Sequence, residues 1–222
     1  MANATIEIVV MGLLAIMNAG AGQAKSGHAA QQAEPDVLVY VEDAFLVPPL
    51  VLSRAEATAT RMFAGIGLQA QWAERRPVRA AETSITPCAP KRAEEIVVQM
   101  ASARTGSAGG EALAVALPYA RTGVRVTVFY GELHEATRIQ PSMETVVLAH
   151  VLVHEITHVL QGMVRHSSTG VMRARWKAED YAGMLRRPLE FTGHDVEMIH
   201  LGLRRTQSTA CPEAASAYSV QE

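Results

Sequence analysis

SMETVVLAHVLVHEITHVLQ, residues Ser142 to Gln161, is the stretch on which the reading of this chain turns. Val147, Leu148, Val151, Leu152 and Val159 recur at helical spacing, and Gly162 follows as a stop. The spacing predicts one helix over about 142–162, with Ser142 as its cap. Within it stands His154-Glu155-Ile156-Thr157-His158, an HExxH motif. Residues four apart lie one turn apart on one helical face, so the two imidazoles point the same way. Two neutral imidazoles so placed can hold one zinc ion, and the carboxylate of Glu155 can take a proton from water beside it. Random placement of the chain's histidines and glutamates gives about 0.02 such motifs. The motif's place mid-helix with an apolar opposite face favours the metal reading over the alternative, a pair of ordinary helix-surface histidines. His150 lies one turn earlier, but Val151 follows it where the motif has glutamate. His150 is therefore expected behind the ligands or in the core.

Two helix histidines leave a hydrolytic zinc one protein ligand short. The downstream candidates are His166, Glu179, Glu190 and Asp195. Gly162 lets the helix end and the chain turn, which brings His166 back towards the metal. Glu179 needs a second helix across the metal, and Trp176 to Leu185 is weakly patterned for one. Its bland reading is a solvated charged face. Thr192 and Asp195 are of the right type to cap a last helix with Val196, Ile199 and Leu203 inward. Gly170-Val171-Met172 offers a tight turn that places Met172 beneath the imidazoles.

Upstream, the chain from Glu34 to Tyr130 reads as strands around one helix. The expected strands are Val37 to Val41, Ile66 to Trp72, Glu95 to Met100, Leu113 to Leu117 and Val124 to Tyr130. Ser53-Arg54-Ala55-Glu56 reads as a capping box, with Ala55, Ala59, Met62 and Phe63 inward and Gly65 as a left-handed cap. His134 falls in the loop before the long helix and is read as a surface residue, as are His194 and His200. Trp72 and Trp176 are read as packing.

Composition narrows the function. The chain has 222 residues, 49% of them hydrophobic, and a formal net charge of -2. With no long block of one sign and only 5% aromatics, no nucleic-acid partner is expected. Ile6 to Met17 is an apolar run about half the ~20 residues a spanning helix needs, and small residues follow to Ala24. Residues 1–24 are expected to be a signal peptide and 25–36 a linker. The mature protein is then secreted or periplasmic, with no stable membrane insertion. In an oxidising compartment the two cysteines, Cys88 and Cys211, can pair. Closing a loop of roughly 120 residues would contribute about 4–5 kcal/mol by chain entropy.

From His154 to Met172 the chain resembles the metzincin clan of zinc peptidases, which has HExxHxxGxxH, a turn-making glycine, a third histidine and a later methionine under the metal. The stretch from His166 to Arg173 is also similar to one in small exported bacterial proteins carrying HExxH. The order of strands and helix upstream agrees with the clan, and Leu113 to Ala116 falls where its antiparallel edge strand binds extended substrate. Here Gly162 comes four residues after His158, and His166 eight after, one and two more than the clan has. No tyrosine stands close behind Met172.

The resemblance implies a secreted zinc metallopeptidase acting on a peptide or protein substrate. His154, His158 and His166 would hold one Zn2+, Glu155 would be the general base, and Met172 would form the floor. A thermolysin-like alternative makes Glu179 the third ligand, and a non-catalytic zinc-bearing scaffold is a further alternative. The expected fold class is α+β. An upper subdomain, 37–162, would have a mixed sheet with two helices. A small, mostly helical or irregular lower subdomain, 163–203, and a polar tail, 204–222, would follow.

Overall fold

Alternation of β-branched and polar residues builds the sheet first. The computed structural model describes residues 35–73, 93–104, 112–120 and 122–208. The expected leader, both cysteines and the last fourteen residues of the expected tail lie outside that set. Five strands form: β1 (Val37–Glu42), β2 (Ala70–Ala73), β3 (Glu94–Ala101), β4 (Ala114–Ala116) and β5 (Val124–Phe129). Their order is β2-β1-β3-β5-β4, all parallel except β4, which runs antiparallel to β5 at the edge. Register places Val39 beside Ile96 and Val41 beside Val98, then Val98 beside Val126 and Met100 beside Val128. These side chains form one buried row across the sheet. Tyr40 and Val97, on the opposite face, are buried as well, as central parallel strands require.

The fold is α+β, with a five-stranded mixed sheet and five α-helices among the described residues. They are α1 (Pro49–Ala64), α2 (Tyr130–Thr137), α3 (Ser142–Gln161), α4 (Ala178–Met184) and α5 (Gly193–Ser208). α1 and α3 pack side by side, with Ala55, Ala59 and Phe63 of α1 in the same core as Leu148, Leu152 and Ile156 of α3. α5 docks on the far end of α3 through Gly202, whose missing side chain lets the helices touch. A β-carbon there would stand 1.9 Å from the Leu160 carbonyl oxygen.

Several boundaries differ from expectation. α1 begins at Pro49, not Ser53: proline at the first helical position has its φ preset and no N–H to satisfy. Ser53 lies inside the helix and donates to the Leu50 carbonyl. Gly65 is right-handed, and the left-handed residue is Gly67 at φ 79. Gly67 donates to Ala64 and Leu68 to Phe63, which uses up Ile66 to Leu68 and delays β2 to Ala70. β5 stops at Phe129, since Tyr130 opens α2, a third helix before Gly162 where two were expected. The N-cap of α3 is Pro141, which makes no side-chain cap hydrogen bond, and Ser142 is the first helical residue. A short helix, α4, does form within Trp176 to Leu185, and α5 continues through Arg204 to Ser208 where the tail was expected to begin.

α3 positions the site. Of its 20 residues, 16 are buried, so almost its whole circumference meets protein. By length and apolarity it could cross a membrane; here it is the core helix, with 78% of its most apolar window buried.

Candidate metal centre

α3 ends in the turn that the site needs. Gly162 takes φ 65, ψ 32, its N–H bonds the Val159 carbonyl, and the Met163 N–H bonds that of His158. This is the left-handed helix stop, which glycine adopts without a β-carbon penalty. The chain returns at once past the last turn of the helix. The Met163 carbonyl lies 3.2 Å from Nδ1 of His158, and His166 follows beside both helix histidines.

One ligand atom from each of His154, His158 and His166 lies within 4.8 Å of the others. The His166 ring centre is 5.2 Å from that of His154 and 4.9 Å from that of His158. Nδ1 of His154 is 2.8 Å from the Val171 carbonyl oxygen. A carbonyl only accepts, so Nδ1 carries the proton in both helix histidines and each Nε2 presents a lone pair. Those two Nε2 atoms are 3.1 Å apart. Two Zn–N bonds of about 2.0–2.1 Å at a tetrahedral angle would separate the nitrogens by about 3.3 Å. The donor set fits a divalent metal ion held by three imidazoles. Burial pushes His154 and His158 down to about 4 and lowers His166, so all three favour the neutral form that ligates.

The segment after His166 folds back beneath α3. Ser167 donates its N–H to the Met172 carbonyl at 2.8 Å, and Arg173 reaches the Ser168 carbonyl. Gly170 at φ 75 permits the turn, and the Val171 N–H bonds the Glu190 carbonyl at 3.0 Å. The Val171 carbonyl then accepts from both His154 and the Trp176 indole, the latter at 3.2 Å. Met172, next in the chain, is fully buried.

Glu155 faces the same cleft, a space of about 760 Å³ lined on one side by Ala112 to Ala116 and on the other by Val164, Arg173 to Trp176 and Tyr181. Burial pushes its carboxyl up to about 7, while a hydrogen bond from the Ala116 backbone N–H pulls the other way. β4 bonds β5 through the Leu113 carbonyl and the Leu117 N–H. Strand alternation therefore turns the backbone groups of Ala114 and Ala116 away from β5, where that of Ala116 meets Glu155.

The other sequence candidates fall elsewhere. The Glu179 side chain is 71% exposed in the first turn of α4, beside Lys177, and that of Glu190 is 76% exposed beside Arg187. Neither joins the three histidines. Asp195 caps α5 as expected: its carboxylate accepts from the Thr192 N–H, and its own N–H bonds Thr192 Oγ1. Nδ1 of His150 donates to the Val146 carbonyl and Nε2 accepts from the Leu189 N–H, so neither nitrogen is open to a metal. His134 lies on α2, not in a loop, with Nδ1 on Glu144.

Trp176 packs against the core as expected, and it also stands edge-on to His154 at 5.8 Å, a contact the sequence did not signal. Sequence reasoning missed the N–H of Ala116, since no side-chain signal marks a backbone donor. No protein-family model matches this chain, and no curated protein matches it significantly.

Proposed function

We propose that this chain is an exported zinc-dependent metallopeptidase of metzincin-like build, with His154, His158 and His166 as ligands and Glu155 as general base. The observation that carries this reading is the convergence of three imidazoles and one high-pKa carboxyl in a single cleft beside a sheet edge. The strand order, with one antiparallel edge strand over the cleft, supports the resemblance in the motif.

When bound, the metal supplies Lewis acidity toward the scissile carbonyl and the attacking water. Glu155 takes the proton that water gives up as its oxygen bonds the carbonyl carbon. It returns that proton to the amine nitrogen as the C–N bond breaks. A carboxyl poised near neutrality serves both directions, and a cation beside it draws its pKa down towards the ionised base. Extended peptide would lie along Ala114 and Ala116, adding a strand to the sheet. Val115 and Val164, 45% and 64% exposed, would flank it with apolar surface.

The test is metal analysis of the purified protein, together with digestion of casein or a mixed peptide pool with and without a chelator. Zinc at one per chain and chelator-sensitive cleavage are expected. Cleavage that survives complete metal removal would refute the reading.

A further inference from the structure

The buried carboxylate of Asp195 takes no part in the chemistry above, yet its bonding extends well beyond the helix cap. The residue is fully buried. Its Oδ2 serves the cap, accepting from Thr192 N–H at 2.9 Å and Thr192 Oγ1 at 2.6 Å. Its Oδ1 accepts from Nη1 of Arg165 at 2.8 Å and from Oγ of Ser167 at 2.6 Å. Arg165 and Ser167 are the two chain neighbours of His166. One oxygen atom therefore grips the chain on both sides of the third histidine.

His166 needs that grip more than its partners do. His154 and His158 sit on a buried helix, each with Nδ1 on a backbone carbonyl. His166 stands on a loop and is exposed, and among the described residues no hydrogen bond holds its ring. Ordering an exposed loop side chain at the moment of ligation costs conformational entropy, and anchoring its flanks in advance removes part of that cost. A charge-assisted bond from Arg165 to a buried carboxylate is a strong anchor. The Asp195 backbone also accepts from Nε2 of Gln161, the last residue of α3, so the helix end and the loop share one post.

We infer that Asp195 is a positioning residue for the metal: it holds the loop so that His166 meets the site formed by His154 and His158. The inference rests on the reading of the three histidines as a metal centre. It assigns to the first turn of α5 a role beyond capping its own helix.

Zinc titration of the full chain against a competing chelator tests it, with helicity recorded for each variant. Asp195→Ala should weaken zinc binding about 10- to 100-fold, the usual effect of removing an outer partner of a ligand. A double variant, Arg165→Met with Ser167→Ala, should do the same while leaving the α5 cap intact. Thr192→Ala, which loses the hydroxyl bonds of the cap and keeps the Oδ1 contacts, should stay within about threefold. Adding Asp195→Ala to His166→Ala should weaken binding no further, because the two act through one ligand.

Wild-type affinity in the double variant would overturn the clamp, as would equal losses from Asp195→Ala with and without His166. The double variant decides the matter should Asp195→Ala fail to fold. A wild-type chain that binds no zinc would refute the metal reading and the clamp together. Normal zinc binding that is insensitive to the clamp variants would refute the clamp alone.

Discussion

Nε2 of His154 and Nε2 of His158 face each other at 3.1 Å, each with its ring proton committed to a carbonyl on the far side. Two lone pairs at that distance repel unless a cation or a proton lies between them. Burial opposes the proton, since both rings are pushed down to about 4. The arrangement therefore favours a cation at neutral pH, and it does so before His166 is counted.

The third ligand should separate cleanly by mutation. His166→Ala is expected to lower zinc affinity by at least about tenfold and to abolish hydrolysis. Glu179→Ala, at an exposed position on α4, should leave both within about twofold. Chelator competition reads both variants. Metal lost from Glu179→Ala but kept by His166→Ala would restore the thermolysin-like arrangement.

In the proposed mechanism Glu155 handles protons, and it is not among the three grouped ligands. Glu155→Gln should keep zinc while peptide hydrolysis falls by about 10²–10⁴-fold, the usual contribution of general acid–base catalysis. Single-turnover cleavage of a fluorogenic peptide measures the loss. Activity within a few-fold of wild type would remove Glu155 from the mechanism.

Acid should destabilise the metal-free protein. His150, His154, His158 and His166 all have folded-state values lowered from the ordinary 6.5, burial being the largest cause in each. The unfolded chain then binds more protons between about pH 6.5 and 4, so stability present above 6.5 is lost as pH falls. Glu155, pushed up to about 7, binds a proton in the folded state over the same range and offsets one histidine. With a net excess of one or more protons, the melting temperature should fall by roughly 3 °C or more between pH 6.5 and 5. Melting curves across that range, without metal, check it. A flat profile would mean that these rings are not held neutral. Added zinc should steepen the fall, because protons then compete with the metal for the same nitrogens.

Two left-handed glycines should respond differently to alanine. At Gly162, φ 65, nothing stands within 4 Å of an added β-carbon, so only backbone strain of about 1–2 kcal/mol is expected. At Gly170, φ 75, the β-carbon would lie 2.2 Å from the Glu190 carbonyl oxygen. That clash forces the turn open and displaces the Val171 carbonyl that holds His154. Gly170→Ala should lose more than about 3 kcal/mol and weaken zinc binding, as judged by denaturant unfolding and chelator competition. Equal costs at the two positions would show that the turn yields easily.

Met172 is fully buried, and its neighbours fix the turn through their backbones. Met172→Leu conserves volume and apolarity, so it should retain zinc and lose less than about 1.5 kcal/mol. A variant that folds normally but fails to bind zinc would give the thioether a part in holding the metal.

What could be read in the sequence followed from periodic patterns. α3 was legible because its apolar spacing is unbroken and Gly162 ends it; β1, β3 and β5 were legible because β-branched residues dominate them. α2 was missed because Gly131 resembles a breaker. Its place is in fact set by packing, since a β-carbon there would lie 2.0 Å from the Ser102 carbonyl oxygen. α4 has little amphipathic pattern and is held instead by Asp180, which accepts from the Lys177 N–H and from Arg173. In the site, HExxH and its downstream histidine carried a local signal. The partners of Asp195, 28 and 30 residues earlier, carried none, because their encounter depends on how α5 docks.

The burial of α3 around nearly its full circumference has an evolutionary consequence. Residues that hold the fold together share these twenty positions with His154, Glu155 and His158 of the proposed chemistry, so substitutions there are tested twice, once for folding and once for activity. In the walls of the cleft, Ala112, Val115, Val164, Ala174 and Arg175 are exposed and stand outside the core. In the proposed peptidase, substrate preference can therefore change at those positions with least cost to the fold and to the ligands. A laboratory seeking new specificities would randomise those five positions and leave α3 and residues 165–173 untouched.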